Sequence, residues 1–137
     1  RIRAAVSEMQ RANVVKDFIS TTDGAERISV TFRFDIGSSI LDHRARRDVH
    51  RLVEYMKQPE HQDQQLILIG FADSEGGYDH NLELAKRRAH AIESELKRSG
   101  GESLDIVVKS FGEEAPVACN TNQTGKEKNR HVEVWLK

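Results

Sequence analysis

The spacing of apolar residues changes its period several times along this chain. A spacing of three to four residues predicts an amphipathic helix, strict alternation predicts a half-buried strand, and a short continuous apolar run predicts a strand buried on both faces. The predicted strands are Ile28–Phe34, Leu66–Phe71, Leu104–Phe111 and His131–Leu136. A first helix over residues 2–19 precedes them, and a second helix, which begins after the N-cap Asp42 and buries Ala45, Val49, Leu52 and Met56, follows the first strand. A third helix, Tyr78–Arg98, follows the second strand and has the buried stripe Leu82, Ala85, Ala89, Ile92 and Leu96.

The order of these elements predicts an α+β domain. Two strand–helix–strand crossovers favour helices stacked on a mostly parallel sheet, with one strand reversed. We therefore expect a βαβαββ core, in which helices pack on a mixed four-stranded sheet, together with an extra N-terminal helix. Residues 1–27 would form that helix and its connector, and residues 28–137 would form the domain itself.

Composition and charge narrow the classes of function. The chain has 137 residues, enough for one domain with a substantial core. With 21 basic and 22 acidic residues the formal net charge is −1, which argues against a nucleic-acid partner. The arginines at 44, 46, 47 and 51 are interleaved with acidic residues, as on a solvated helix face. No apolar run approaches the ~20 residues that span a bilayer. The chain begins with Arg1 rather than Met, so we expect a segment of a longer protein.

An acid and a base frame the most informative segment, Gly70–Ala89. Asp73 follows the end of an apolar strand, and Arg88 lies fifteen positions later on a predicted helix. Crevices beyond strand ends are the usual ligand sites of open α/β sheets. Asn81 precedes Arg88 by seven residues, which places the two within roughly 20° of each other around the helix axis, at the flank of the buried stripe. Periodicity alone leaves Arg87 open as the inward base.

Two interpretations of this acid and base follow from the residues. Facing one gap, Asp73 and Arg88 could grip a ligand that carries both an ammonium and a carboxylate group. Alternatively, they form a salt bridge that only braces the strand against the helix.

The frame of this segment resembles a known family. Gly-x-x-Asp-x-x-Gly, followed by Asn and then by Leu-x-x-x-Arg-Ala, is similar to the OmpA-like peptidoglycan-binding domain of Gram-negative envelope proteins. The resemblance extends over about Ile28 to Leu136 and includes three further elements in the family's order. These are Phe34-Asp35 with Ser38 or Ser39 and Leu41, then Gly112 with Pro116-Val117 and Asn120, and finally Asn129-Arg130-His131-Val132.

The resemblance implies a binding function without catalysis. Such a domain anchors an envelope protein non-covalently to the cell wall, in the periplasm, by holding the diaminopimelate of the peptidoglycan stem peptide. Carried over, Asp73 pairs with the ammonium, Arg88 forks the carboxylate through two parallel N–H bonds, and Asn81 adds an amide hydrogen bond. Further implied ligand-contact positions are Asp35 with the amides of its turn, Ala72 and Arg130.

This chain departs from the family pattern at three positions. Ala72 stands where the family has threonine, so a hydroxyl near the ligand is lost. Ala85 replaces a serine, which is a packing change. His131 replaces the second arginine of Asn-Arg-Arg, so we rank Arg130 below Asp73 and Arg88 as a ligand contact.

Partners and alternatives complete the prediction. The resemblance implies peptidoglycan as the partner, with no cofactor and no metal, and a homodimer is one assembly that the sequence allows. An enzyme is one alternative, but the histidines lack the i, i+4 spacing of a helical metal site, and Ser38, Ser39 and the single Cys119 lack a recognisable activating base. A second alternative is a protein–protein module with a purely structural Asp73–Arg88 pair, in which the N-terminal helix binds the partner.

Overall fold

The computed structural model of the chain describes residues 16–71, 78–111 and 131–137. A short 3-10 turn, Pro59–His61, follows the helix His43–Met56, and a wider helical turn, Lys97–Gly101, follows the helix Tyr78–Leu96. None of the helices in the described ranges combines the length and the apolar character needed to cross a membrane. The elements are α1 (residues 16–22), β1 (Glu26–Arg33), α2 (His43–Met56), β2 (Leu66–Phe71), α3 (Tyr78–Leu96), β3 (Ile106–Phe111) and β4 (His131–Leu136).

The sheet has the strand order β1–β4–β2–β3. β4 runs antiparallel to both of its neighbours, whereas β2 and β3 are parallel, with Leu66 opposite Ile106. β1, β2 and β3 thus share one direction, and the expected mixed four-stranded sheet of an α+β domain is confirmed. The bounds predicted for β2 and β4 are confirmed to the residue. The pattern did not predict that β4 lies between β1 and β2.

One face of the sheet is covered by α2 and α3. The carboxylate of Asp42 accepts a hydrogen bond from the Ala45 amide at 2.8 Å and caps α2, as predicted. The buried stripe predicted for α3 is wrong at Leu82, which is half-buried because it lies at the edge of the arc that faces the sheet, and Leu84 is buried instead. The core of this face is formed by Phe32, Phe34, Ala45, Val49, Leu52, Val53, Met56, Leu66, Leu68, Ala89, Ile92, Leu96, Val132, Val134 and Leu136.

The backbone of α3 lies directly against β2 at Gly70. A Cβ atom added at Gly70 would stand 2.2 Å from the carbonyl oxygen of Ala85 and 3.3 Å from the Cβ of Ala89. Gly70 has no side chain, and the helix residues that face it, Ala85 and Ala89, carry only methyl groups. The backbones of the helix and the strand can therefore come into direct contact at this point. This packing places the N-terminal half of α3 beside the carboxyl end of β2.

The opposite face of the sheet is covered in part by α1. The ring of Phe18 packs in an aromatic cluster, at centroid distances of 6.1 Å from Phe71, 5.7 Å from Phe111 and 6.1 Å from Trp135. As a central strand with cover on both faces, β4 is buried at each position of His131–Val134. The cover on both faces explains why the polar positions of this alternating strand, His131 and Glu133, are buried along with its apolar ones.

Phe18→Ala tests whether α1 is part of the folded unit. We expect it to lower the free energy of unfolding by about 2 kcal/mol, because it removes the aromatic contacts of a half-buried ring. Ile19 is the matched control, since it is 61% exposed, and Ile19→Ala should change stability by less than about 0.5 kcal/mol. Urea unfolding followed by the fluorescence of Trp135, the single tryptophan, measures both. Equal losses in the two variants would contradict the packing of α1 on the sheet.

Candidate ligand-binding site

Arg88 lies in the middle of the buried face of α3. Its side chain is 0% exposed, and two of its N–H groups donate to the turn that follows β1. Nε donates to the carbonyl oxygen of Ser38 at 2.8 Å, and Nη2 donates to that of Asp35 at 2.9 Å. The guanidinium carbon lies 5.5 Å from the centre of the Phe34 ring, within the range of a cation–π contact. Arg88 is therefore the inward base, and Arg87 is exposed.

The turn after β1 is shaped to offer these carbonyls. Gly37 has a φ of 69°, in the left-handed region that glycine adopts without strain. The amide of Ser38 donates to the Asp35 carbonyl at 3.1 Å, and the amide of Ile40 donates to the Ser38 hydroxyl oxygen at 3.1 Å. The amide of Ser38, one of those in the turn that were expected to be open to a ligand, is thus engaged inside the turn. The carboxylate of Asp35 is exposed.

Asn81 lies two helical turns before Arg88 on the same face of α3. Its side chain is 4% exposed, and its Nδ2 atom has no hydrogen-bond partner among the residues that the structure describes. A buried amide without an acceptor costs about 1–3 kcal/mol, so such a group calls for a partner. The sequence pattern placed Asn81 and Arg88 at the flank of the buried stripe, which is wrong, because both lie within it.

Three of the predicted contact positions, Ala72, Asp73 and Arg130, lie outside the described residues. The pairing of Asp73 with Arg88 or with a ligand therefore stays a prediction. The geometry of Arg88 restricts its predicted forked contact, since Nε and one N–H of Nη2 hold the turn. A carboxylate can meet two parallel donors only at the Nη1–Nη2 edge. Because the side chain is fully buried, the groups that cover this edge must shift to admit a ligand.

His131, the position that departs from the family's second arginine, is an internal residue. It is 2% exposed and stacks on Phe71 at a centroid distance of 5.0 Å, on the face of the sheet opposite to α3. Its Nε2 atom lies 3.1 Å from the carboxylate of Glu133. Glu133 also accepts a hydrogen bond from Trp135 Nε1 at 3.0 Å and lies 3.4 Å from Arg27 Nη2. His131 therefore contributes to the interior.

Burial sets the protonation of this cluster. Desolvation lowers the pKa of His131 and outweighs the attraction of Glu133, so the imidazole is neutral near pH 7. Desolvation also raises the pKa of Glu133, but the hydrogen bonds from His131 and Trp135 and the charge of Arg27 outweigh it and leave that pKa below its ordinary value. A neutral His131 can donate to the Glu133 carboxylate only through an Nε2–H group, which fixes its tautomer.

Sequence reasoning missed the acceptors of Arg88. Phe34 and Ser38 belong to the resembling motif, but neither had a predicted contact with Arg88. Main-chain carbonyls could not have been found, because every residue carries one. The contact of His131 with Glu133 could have been predicted. His131, Glu133 and Trp135 follow each other at spacings of two along one strand, and such residues share a face of the sheet.

Comparison with known proteins gives consistent matches. A sequence model described as the OmpA family matches residues 33–130. The chain is 38% identical over 69 residues to the probable lipoprotein YiaD of Escherichia coli, covering 50% of this chain and 32% of that protein. It is 32% identical over 114 residues to the peptidoglycan-associated lipoprotein of Pseudomonas aeruginosa, covering 82% of this chain and 65% of that protein. The chain thus spans between about a third and two thirds of the length of these two relatives.

The fold matches solved structures as well. The crystal structure of the peptidoglycan-associated lipoprotein from Burkholderia pseudomallei has a TM-score of 0.71 against this chain, covering 82% of this chain and 91% of that one. The two sequences are 23% identical over this match, so the likeness concerns the fold.

The buried His131 gives the domain a dependence on pH. Because its pKa is lowered in the folded state, the unfolded chain takes up the proton first, and stability is lost as pH falls below 6.5. From about pH 7.5 to about pH 5.5 we expect the wild type to lose more free energy of unfolding than His131→Gln, by a difference on the order of 1 kcal/mol. The lowered pKa of Glu133 also makes the fold less stable as pH falls, but only below about 4.5, the ordinary pKa of a glutamate. Urea titrations at the two pH values measure the difference.

The control for this prediction is His50→Gln, which removes an exposed histidine from α2. His50→Gln should keep the wild-type dependence on pH. The same dependence in His131→Gln as in wild type would contradict a buried neutral imidazole.

Proposed function

The chain belongs to the OmpA family, and we propose that it binds peptidoglycan non-covalently and so anchors an envelope protein to the cell wall from the periplasmic side. Its relatives support this assignment, since one of them is named for its association with peptidoglycan. The structural observation that carries the proposal is the pair Asn81 and Arg88, an amide and a guanidinium buried on one face of α3 beside the end of β2.

The proposed ligand group is the free end of diaminopimelate, which carries an ammonium and a carboxylate on one carbon. Arg88 receives the carboxylate at its Nη1–Nη2 edge. Because Ser38 and Asp35 hold the other side of the guanidinium, its plane is oriented before the ligand arrives, and little side-chain entropy is lost on binding. Asn81 Nδ2 donates to a ligand oxygen and thereby gains the acceptor that it lacks among the described residues.

The remaining contacts follow from the resemblance. Asp73 pairs with the ammonium group, which separates the two charges of the ligand between the strand end and the helix. The exposed carboxylate of Asp35 adds negative charge beside the same turn. Ala72 has no side-chain hydroxyl to offer the ligand, and Arg130 ranks below Asp73 and Arg88 as a contact.

One observation favours a second function, a protein–protein module of the envelope. Full burial and two hydrogen bonds to main-chain carbonyls are what a purely structural Arg88 would show. In that case Asp73 and Arg88 brace the fold, and their loss would affect stability and leave wall binding unchanged in any variant that still folds.

Sedimentation with insoluble peptidoglycan separates the two functions. We expect Asp73→Ala and Arg88→Ala each to weaken binding to diaminopimelate-type walls by about 2–5 kcal/mol, largely because the partner charge is left unpaired. Arg87→Ala is the matched control, an exposed arginine one position away that should bind like wild type. Circular dichroism checks the fold of each variant. If Arg88→Ala does not fold, Asp73→Ala and Asn81→Ala carry the test, and wild-type binding by both folded variants would refute the site.

The chemistry of the wall tests the ligand group. Lysine-type walls lack the second carboxylate, so the domain should bind them at least about tenfold more weakly than diaminopimelate-type walls. Equal binding to both wall types would refute the contact between Arg88 and the carboxylate, while anchoring to the wall would stand.

A further inference from the structure

A crevice of about 510 Å³ lies between β1 and α2. Its strand side is formed by Ile28–Thr31 and Arg33, and its helix side by a single face of α2. None of the described residues of the peptidoglycan site lines it. The residues of α2 in this wall are Arg44, Asp48, Arg51, Leu52 and Tyr55.

The strand side of the crevice is a sheet edge that no described strand pairs with. β1 is one of the two outer strands of the sheet, and within the described residues it pairs only with β4. Its ladder with β4 is interrupted by a bulge between Arg27 and Thr31, the stretch that faces the crevice. An outer strand presents main-chain N–H and C=O groups that an extended peptide can pair with.

The side chains around the crevice carry a net positive charge. Within the described residues, neither Arg33 nor Arg44 has an ion pair. Arg51 lies 3.7 Å from Asp48, but its side chain is 72% exposed, so the contact is heavily screened. Arg33 pairs opposite His131, which turns its side chain toward the other face of the sheet. On the α2 side the lining residues Arg44 and Arg51 therefore face the one carboxylate of Asp48. They surround an apolar floor, to which Ile28 and Val30 contribute half-buried side chains that pack on the core.

We propose that this crevice binds an extended acidic segment of a partner protein. Alternate side chains of an extended peptide point to opposite sides, so acidic residues can meet the arginines while the residues between them cover the apolar floor. The peptide backbone lies along the free edge of β1. A second copy of this chain is a poor occupant, since it would bring the same arginines to the contact. The surface is separate from the wall site, so both ligands can bind at once.

The probe is a short synthetic peptide that alternates glutamate and valine, with its lysine–valine counterpart as the charge control. Titration into the isotope-labelled chain should shift the amide signals of residues 28–33, because that strand edge forms the contact. Binding of the glutamate peptide should weaken at least about fivefold when NaCl is raised from about 50 to about 300 mM. Binding of the lysine peptide with similar affinity would overturn the proposal, as would tighter binding of an oligothymidylate.

Charge reversal on α2 locates the site. Arg44→Glu and Arg51→Glu should each weaken binding of the glutamate peptide about fivefold or more. Arg46→Glu is the matched control, since Arg46 is exposed on the same helix but lines a different depression, between α2 and α3. All three positions are exposed, so the variants should fold. Wild-type binding by Arg44→Glu and Arg51→Glu, an equal loss in Arg46→Glu, or no binding of the peptide to wild type would overturn the proposal.

Wall sedimentation distinguishes this proposal from the proposed function. Arg51→Glu should sediment with peptidoglycan like wild type, because Arg51 belongs to α2 and contacts none of the described wall-site residues. Loss of wall binding in Arg51→Glu would show that the crevice is part of the wall site, and it would overturn the assignment to a separate partner.

Discussion

One buried guanidinium group ties helix α3 to the turn that joins β1 to α2. Arg88 on α3 donates to two main-chain carbonyls of the turn between β1 and α2, fifty or more residues earlier in the chain. Hydrogen bonds from a charged donor contribute about 1.5–3 kcal/mol each, and leaving such a donor buried without them costs more. The turn and the helix therefore fix each other.

The close packing of α3 on β2 makes this contact reachable. Any side chain at Gly70 would meet the carbonyl oxygen of Ala85 and lift the helix from the strand. Arg88, one turn further along α3, would then lie too far from the Ser38 carbonyl. Gly70 on the strand and Ala85 and Ala89 on the helix thus set the distance between α3 and the sheet, and with it the distance between the guanidinium of Arg88 and the carbonyls that it binds. The site depends on backbone approach as much as on its polar side chains.

The sequence predicted the elements better than their arrangement. Apolar runs such as Leu66–Phe71 and the cap at Asp42 define elements locally, and both are confirmed. The insertion of β4 between β1 and β2 depends on long-range pairing, which the alternation of His131–Leu136 does not encode. For the site, the residue types of Asn81 and Arg88 identified them as candidates. The buried stripe of α3 was predicted from apolar residues alone, so both polar residues were placed at its flank, although both are buried within it.

The insertion of β4 has a consequence for how the chain acquires its structure. β1 and β2 run in the same direction with a gap between them that β4 alone fills. Until the last of the four strands has been synthesised and delivered, β1 has no strand to pair with in this sheet. Pairings between such distant segments form slowly, because a long loop must close first. The pairing of β1 into the sheet therefore depends on the strand that comes last in the chain order of the described elements.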